Sequence, residues 1–198
     1  MVRSISEIRR EEITEAVLAL LAEYGERSLS VQAIASKVGM AKASLYQHFN
    51  SLDEMIEAAI ISIKTKFVAL LHQARETVDD PKERLWVFFR NVSKLPTVPE
   101  AMFNLGRMDS KSGERWREIM LGIRDTLETE LIKDIREAQE KDRFRADLTP
   151  EQILEVIFAL YHFLKTEMMH RNVDWNTAGL AENTWSLFCK LVDKRSEF

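Results

Sequence analysis

The stretch SVQAIASKVGMAKASLYQHF, Ser30 to Phe49, constrains what this chain can fold into more than any other. It reads as two short helices hinged at a glycine. Val31, Ile34, Ala35 and Val38 recur at spacings of three and four, the period of a helix with one buried face. Ser30 stands before them as an N-cap, where its hydroxyl can satisfy an orphan backbone N–H. Gly39 follows, able to take the positive φ that ends a helix tightly. Leu45 and Phe49, four apart, give the second helix an apolar side, and its other side carries Lys42, Ser44, Tyr46, Gln47 and His48. The rest of the chain reads as machinery for positioning this pair.

Charge sharpens the reading. No carboxylate occurs from Arg27 to Leu52, although the chain holds 32 Asp and Glu, while Arg27, Lys37 and Lys42 are cationic. An acid-free surface helix suggests a polyanionic partner. The formal net charge of −4 argues against bulk electrostatic binding to nucleic acid, so the positive groups that matter are local: the helix pair, with Arg3, Arg9 and Arg10 upstream. Those arginines are either solvated or reach a phosphate.

Apolar residues make up 45% of the 198, enough for one large or two small domains with a sizeable core. Cys189 is the single cysteine and lies on an apolar helical stretch, which points to a reducing compartment and a buried structural thiol. The N-terminal MVRSISEIRREE lacks the apolar core of a signal peptide, and no stretch approaches the roughly 18 apolar residues of a membrane span, so a cytoplasmic protein is expected.

Periodicity predicts helices almost throughout. Glu7 to Tyr24 carries Ile13, Ala16, Val17, Leu20, Leu21 and Tyr24 on one stripe, with Gly25 just beyond. Ser51 and Glu54 form an S-x-x-E capping box for a long helix reaching about Val78, whose stripe runs from Met55 to Ala74. A rod of about 37 Å results, long enough to belong to two modules. Asp80 and Pro81 open another helix, which Pro96 and Pro99 end; a short segment follows from Glu100 to about Met108, then a long helix from Glu114 to about Gln139. Glu140 to Leu148 is a charged, surface-like linker. Thr149 and Pro150 start a helix with apolar residues round nearly its whole circumference, which requires burial on two sides, and a last helix spans about Asn176 to Lys194. With no alternating strand pattern, the expected fold is all-α with about nine helices.

The residues Ile13-x-x-Ala16, Gly25, Ser30-Val31, Ile34-Ala35, Gly39, Leu45-Tyr46, His48-Phe49 and Ser51, in this order and spacing, resemble the tetracycline-repressor (TetR/AcrR) family of bacterial transcriptional regulators over about residues 7 to 60. The resemblance implies an N-terminal three-helix helix-turn-helix domain over 1–52, a linking helix over 53–78, and a helical effector-binding and dimerisation domain over 79–198. Carried to this chain, it places Ser30, Gln32, Lys42, Ala43, Ser44, Tyr46, Gln47 and His48 at the DNA. Ser30, Tyr46 and His48 then look like phosphate contacts. Lys42 and Gln47 look like base readers, since lysine can donate to guanine O6 and N7 and glutamine can bond bidentately to adenine. Two positions depart from the family pattern. Ala41 replaces a helix-capping Ser or Thr, and Leu52 stands where a phosphate-facing Lys is common, so weaker nonspecific affinity is expected.

The resemblance also implies a small hydrophobic effector and a homodimer joined through the last two helices of each subunit, presenting two recognition helices to a pseudopalindromic operator. Candidate effector-contacting residues are Trp86, Phe89, Met102, Phe103, Trp116, Met120, Phe158, Tyr161 and His162, an aromatic and methionine set suited to an apolar pocket or to plain core packing. No G-x-S-x-G, P-loop, H-E-x-x-H or Cys/His cluster occurs, and Glu167 and His170 make a single E-x-x-H, so no enzyme, metal or cofactor is expected. The other reading is a helical sensor or scaffold that keeps the fold without operator binding.

Overall fold

The computed structural model describes residues 4–25, 28–95, 101, 111–171 and 179–194, leaving aside the side chains of 111–113, 164–171 and 180. Eight helices lie among these residues: α1 Ile5–Tyr24, α2 Val31–Val38, α3 Lys42–Leu45, α4 Leu52–Thr77, α5 Pro81–Ser93, α6 Lys111–Glu140, α7 Pro150–Arg171 and α8 Leu180–Val192. The only extended pairing among them is an isolated bridge between Phe144 and Asp193, so the fold is all-α. Of the expected segment Glu100 to Met108, only Ala101 is described, helical and fully buried; the rest lies outside the described residues. Contacts divide the chain into two compact units, one from Met1–Lys66 with Pro96–Arg124 and one from Phe67–Leu95 with Asp125–Phe198. Both α4 and α6 run from one unit into the other.

In the first unit, α1 begins two residues before the expected Glu7. The Ser4 hydroxyl accepts from the Glu7 N–H at 3.1 Å, and the Glu7 carboxylate accepts from the Ser4 N–H at 2.7 Å, a reciprocal box that satisfies two orphan donors. Its buried face is Ile13, Ala16, Val17, Leu18, Leu20 and Leu21. Tyr24, expected on that stripe, is exposed and hydrogen-bonds Glu23 instead, while Leu18 is fully buried. Ser51 caps α4 as expected, accepting from Glu54 N–H at 3.1 Å. The return bond, however, comes one residue earlier: the Glu54 carboxylate accepts from the Asn50 backbone N–H at 2.7 Å and from Asn50 Nδ2 at 2.9 Å. Met55, Ile56, Ala59, Ile60 and Ile63 bury the first half of α4, and ion pairs from Lys66 to Glu15 (2.5 Å) and Arg115 to Glu57 (2.6 Å) tie it to α1 and α6.

In the second unit, Asp80 caps α5 by accepting from the N–H groups of Lys82 and Glu83, with Pro81 at the first helical position. Asp134, on α6, is buried and accepts from Arg75 Nη2 at 2.9 Å and Arg84 Nη1 at 3.5 Å, while Glu130 and Glu137 take the other arms of the two guanidinium groups at 2.8 and 2.6 Å. Three helices are thereby joined through polar groups that satisfy one another.

The segment after α6 is largely exposed, as its charge suggests, but it is pinned to the fold at Phe144. Phe144 is buried and meets the Phe188 ring edge-on at 5.7 Å; the Arg145 N–H donates to the Val192 carbonyl at 2.8 Å; and Gln139 Nε2 donates to the carbonyls of Arg145 and Leu148. One aromatic side chain among charges decides its position, because charged neighbours can remain in water while a phenyl ring gains by leaving it. Among the described side chains, burial of α7 on two sides does not occur within one chain. Its inner face, Ile153, Leu154 and Ile157, is buried, yet Phe163 is 66% exposed, and Leu187 and Leu191 of α8 are also exposed.

Candidate functional site

The helix pair forms by the caps its sequence provides. Ser30 Oγ accepts from the Ala33 N–H at 3.1 Å, and as a hydroxyl it keeps its own O–H free to donate outward. At the other end Gly39 sits at φ 74°, ψ 32°, and the Met40 N–H reaches back to the Ala35 carbonyl at 3.0 Å, the bond pattern of a left-handed helix stop. Ile34 and Ala35 are buried beneath α1. Gln32 is exposed, its amide donating to Ser36 Oγ at 3.2 Å.

The second helix is shorter than its apolar spacing suggests. Ala41 supplies no side-chain cap, and α3 proper is one turn, Lys42–Leu45. Tyr46 to His48 then follow in tighter turns, through bonds from Gln47 N–H to Ser44 O and from His48 N–H to Leu45 O. Leu45 and Phe49 are buried as expected, and they hold this short element down. Opposite them, Lys42, Ala43, Tyr46 and Gln47 are exposed, while Ser44 and His48 are half-buried. The His48 Nδ1 atom is buried without a hydrogen-bond partner among the described residues.

Charges around the pair are partly consumed inside the protein. Lys37 pairs with Glu23 at 3.2 Å, and Arg9 pairs with Glu12 at 2.6 Å. Arg10, though partly exposed, turns back onto the protein: its guanidinium lies 3.9 Å from the centroid of the Phe49 ring, donates to the His48 carbonyl oxygen and faces Glu54 at 3.6 Å. It therefore clamps the end of α3 onto α1. This contact spans 38 residues of sequence and left no local signal, since an arginine near a helix start reads equally as solvated. Arg3 and Arg27 lie outside the described residues. Among those described in the acid-free stretch, Lys42 is the cation without an ion pair. The Glu54 carboxyl is held below its usual range, chiefly by the Asn50 N–H, with the Arg10 charge adding to it, so the clamp stays ionised in neutral solution.

The second unit gathers part of the expected effector set. Trp86, Phe89 and Tyr161 line one small cavity of about 30 Å³ together with Arg90, Trp185 and Phe188, and Phe158 packs edge-on against Phe89 at 6.3 Å. Trp86 and Trp185 face each other at 5.4 Å with their planes 32° apart. His162 is exposed and outside this lining; the buried Trp116 and half-buried Met120 belong to the other unit; Met102 and Phe103 lie outside the described residues. Arg90, Trp185 and Phe188 came from helices that read simply as amphipathic, so nothing in their spacing marked them as lining residues. Cys189 is half-buried; burial pushes its thiol up, against the opposing pull of the Lys82 ammonium, which keeps it protonated and unreactive in neutral solution. No group of metal-ligating side chains occurs among the described residues, and the side chains of Glu167 and His170 lie outside them.

Residues 13–59 match the family model described as bacterial regulatory proteins, tetR family, a span that covers most of α1, both helices of the pair and the start of α4. Over 166 residues the chain is 25% identical to the nucleoid occlusion factor SlmA of Marinomonas sp. (strain MWYL1), covering 80% of this chain and 84% of that protein. Among solved structures it is similar to a TetR-family transcriptional regulator from Rhodococcus sp., with a TM-score of 0.73 at 22% identity over 93% of this chain and 98% of the other. It is also similar to a transcriptional regulator from Saccharomonospora viridis in complex with choline, with a TM-score of 0.76 at 16% identity over 96% of this chain and all of that one. Residues 13–59 thus carry the match to the tetR family of bacterial regulatory proteins, and the fold as a whole is one shared with these solved structures.

Proposed function

We propose that the protein is a cytoplasmic transcriptional repressor that binds a pseudopalindromic operator as a homodimer and is released by a small hydrophobic effector. The observation that carries this reading is the exposed, acid-free face of α3 and the turn after it, held rigid by the buried Leu45 and Phe49. Lys42 and Gln47 read base edges there, and Ala43 is small enough to approach a thymine methyl. Ser30, whose O–H is left to donate, and the exposed Tyr46 hydroxyl hold phosphates. Gln32, Ser44 and His48 complete the contact surface, His48 through whatever part of its ring is not covered. The dimer uses α7 and α8, where Phe163, Leu187 and Leu191 stand in water in the single chain. No helix among the described residues is long and apolar enough to cross a membrane, in keeping with this reading.

Selection of bound sequences from random DNA, followed by titration with Lys42→Ala/Gln47→Ala, tests the proposal. The double variant should lose its preference for the selected sequence and retain weak, salt-sensitive binding. Equal loss on selected and random DNA would remove both residues from the base-reading role. One observation favours a second reading, a helical sensor or scaffold that does not bind an operator: α3 is uncapped and brings a single unpaired cation among the described residues. A wild-type protein that selects no sequence at all would establish that reading.

A further inference from the structure

We propose that the cleft between α5, α7 and α8 takes a hydrophobic monocarboxylate, with Arg90 as the counterion of its carboxylate and the facing Trp86 and Trp185 as the walls for its apolar body. The inference rests on the effector reading above and gives that effector a chemical class.

The other partly buried arginines of this unit show what a satisfied guanidinium looks like here. Arg75 donates to Asp134, to the Glu130 carboxylate and to the Glu130 carbonyl, and Arg84 donates to Glu137, Asp134 and the carbonyls of Val78 and Asp79. Arg90, one helical turn after Trp86 on α5, has no such set. It is half-buried and lines the cavity, and no ion pair or side-chain hydrogen bond engages its guanidinium among the described residues; its Nε is buried without an acceptor. Its guanidinium carbon lies 5.8 Å from the centroid of the Trp86 ring, a contact that attracts the charge but gives the buried Nε–H no acceptor.

A buried donor without an acceptor is costly, and more so when it carries charge, because water has been removed and nothing has replaced it. No residue lining the cleft is acidic among those described, so they do not supply the missing anion. A carboxylate fits the guanidinium fork through two parallel N–H···O bonds, which a neutral hydroxyl cannot reproduce. Apart from Thr184, the remainder of the lining is aromatic and aliphatic, which calls for an apolar body on that carboxylate.

Aromatic walls alone would equally suit a quaternary ammonium ion, and the similar regulator from Saccharomonospora viridis was solved with choline. Arg90 decides against a cation here, since a like charge in the same cleft repels it. The cavity has room for roughly one or two waters as it stands, at about 30 Å³, so the ligand enters by parting the Trp86–Trp185 pair. That movement belongs to a minor conformation which ligand binding would make dominant, and it supplies the structural difference an effector needs.

Tryptophan fluorescence and thermal-shift titrations of the full chain test this, using octanoate and benzoate as probes, their neutral counterparts octanol and benzyl alcohol, and choline. Each acid is expected to bind at least tenfold more tightly than its alcohol; the ratio of the two acids tells a linear from a ring-shaped body. Arg90→Gln should erase the preference by weakening the acids while leaving the alcohols within about twofold. Should that variant fail to fold by circular dichroism, the wild-type acid-to-alcohol ratio still decides. Equal binding of acid and alcohol, retention of the preference in Arg90→Gln, or tighter binding of choline than of the alcohols would overturn the assignment. DNA affinity measured with and without each probe separates the two levels. Alcohols that bind and release DNA without any preference for acids would sink the Arg90 assignment alone. Acids that bind through Arg90 without changing DNA affinity would sink the effector reading alone. No binding by any probe would sink both.

Discussion

Replacing Arg10 by Met keeps a long unbranched side chain over the Phe49 ring and removes the charge that clamps α3 to α1. The loss can be worked from the contacts. A charged donor to a backbone carbonyl is worth about 1.5–3 kcal/mol, and the lower end applies because the Arg10 side chain is 42% exposed. The cation over the ring adds about 0.5–1 kcal/mol at such a site. The ion pair with Glu54 is open to solvent and adds little. Together these predict a fall of about 2–3 kcal/mol in the stability of the first unit, measured as the urea midpoint of the protein at constant m-value. Because Arg10 is spent inside the protein, the salt dependence of DNA binding should not change slope, even as specific affinity declines through looser positioning of Lys42 and Gln47. The opposite pattern would refute the clamp: unchanged stability with a salt slope reduced by about 0.9 per half-site would make Arg10 a phosphate contact.

Four further outcomes follow from the same geometry. Gly39→Ala should cost about 1–2 kcal/mol from its positive φ alone, since a Cβ there meets nothing within 4 Å; a neutral result in chemical denaturation would show that the turn relaxes. Asp134→Ala strands Arg75 and Arg84 around a buried hole and should destabilise the protein by about 3–5 kcal/mol, whereas a loss under about 1 kcal/mol would mean that Glu130 and Glu137 take over its bonds. In the same network the Arg75 hydrogen bond, with help from Lys133, holds the Glu130 carboxyl below the ordinary glutamate value of 4.5, and Lys141, with help from Arg84, does so for Glu137. A depressed folded-state value means that this contribution is complete above about pH 4.5 and is lost as the pH falls through the folded-state value, so Glu130→Gln should flatten the acid limb of the stability curve. Phe163→Glu combined with Leu187→Glu should turn the proposed dimer into monomers in analytical ultracentrifugation with little change in helix content, and an unaltered dimer would place the interface elsewhere.

Much of the first unit was legible because its signals are local. Ser30, Gly39 and the three-and-four spacing of Ile34, Ala35 and Val38 act over a single helical turn, and their caps form where the sequence places them. The same holds for Asp80 with Pro81, and for Ser51. Reading was less sure wherever a residue could be satisfied in two ways. Phe49 sits four residues after Leu45, and its burial suggests one continuous helix, yet burial constrains only where a ring goes and not the backbone that carries it there. Phe144 lay hidden among charges, because a single apolar residue has no period.

The sequence by itself determined the helical class, the hinged pair at Gly39 and the acid-free face that follows it, since propensity, capping and spacing are properties of neighbouring residues. Only the tertiary structure decided which cations remain for a partner. Arg10, Lys37 and Lys42 are equivalent as letters, but Arg10 is taken by Phe49 and the His48 carbonyl, Lys37 by Glu23, and Lys42 is left to the outside. It likewise decided that Arg90 stands in an aromatic cleft with no anion among the described residues, while Arg75 and Arg84 are saturated. The physical reason is common to both cases. A charge is defined functionally by what neutralises it, and the neutralising group arrives from a distant part of the chain.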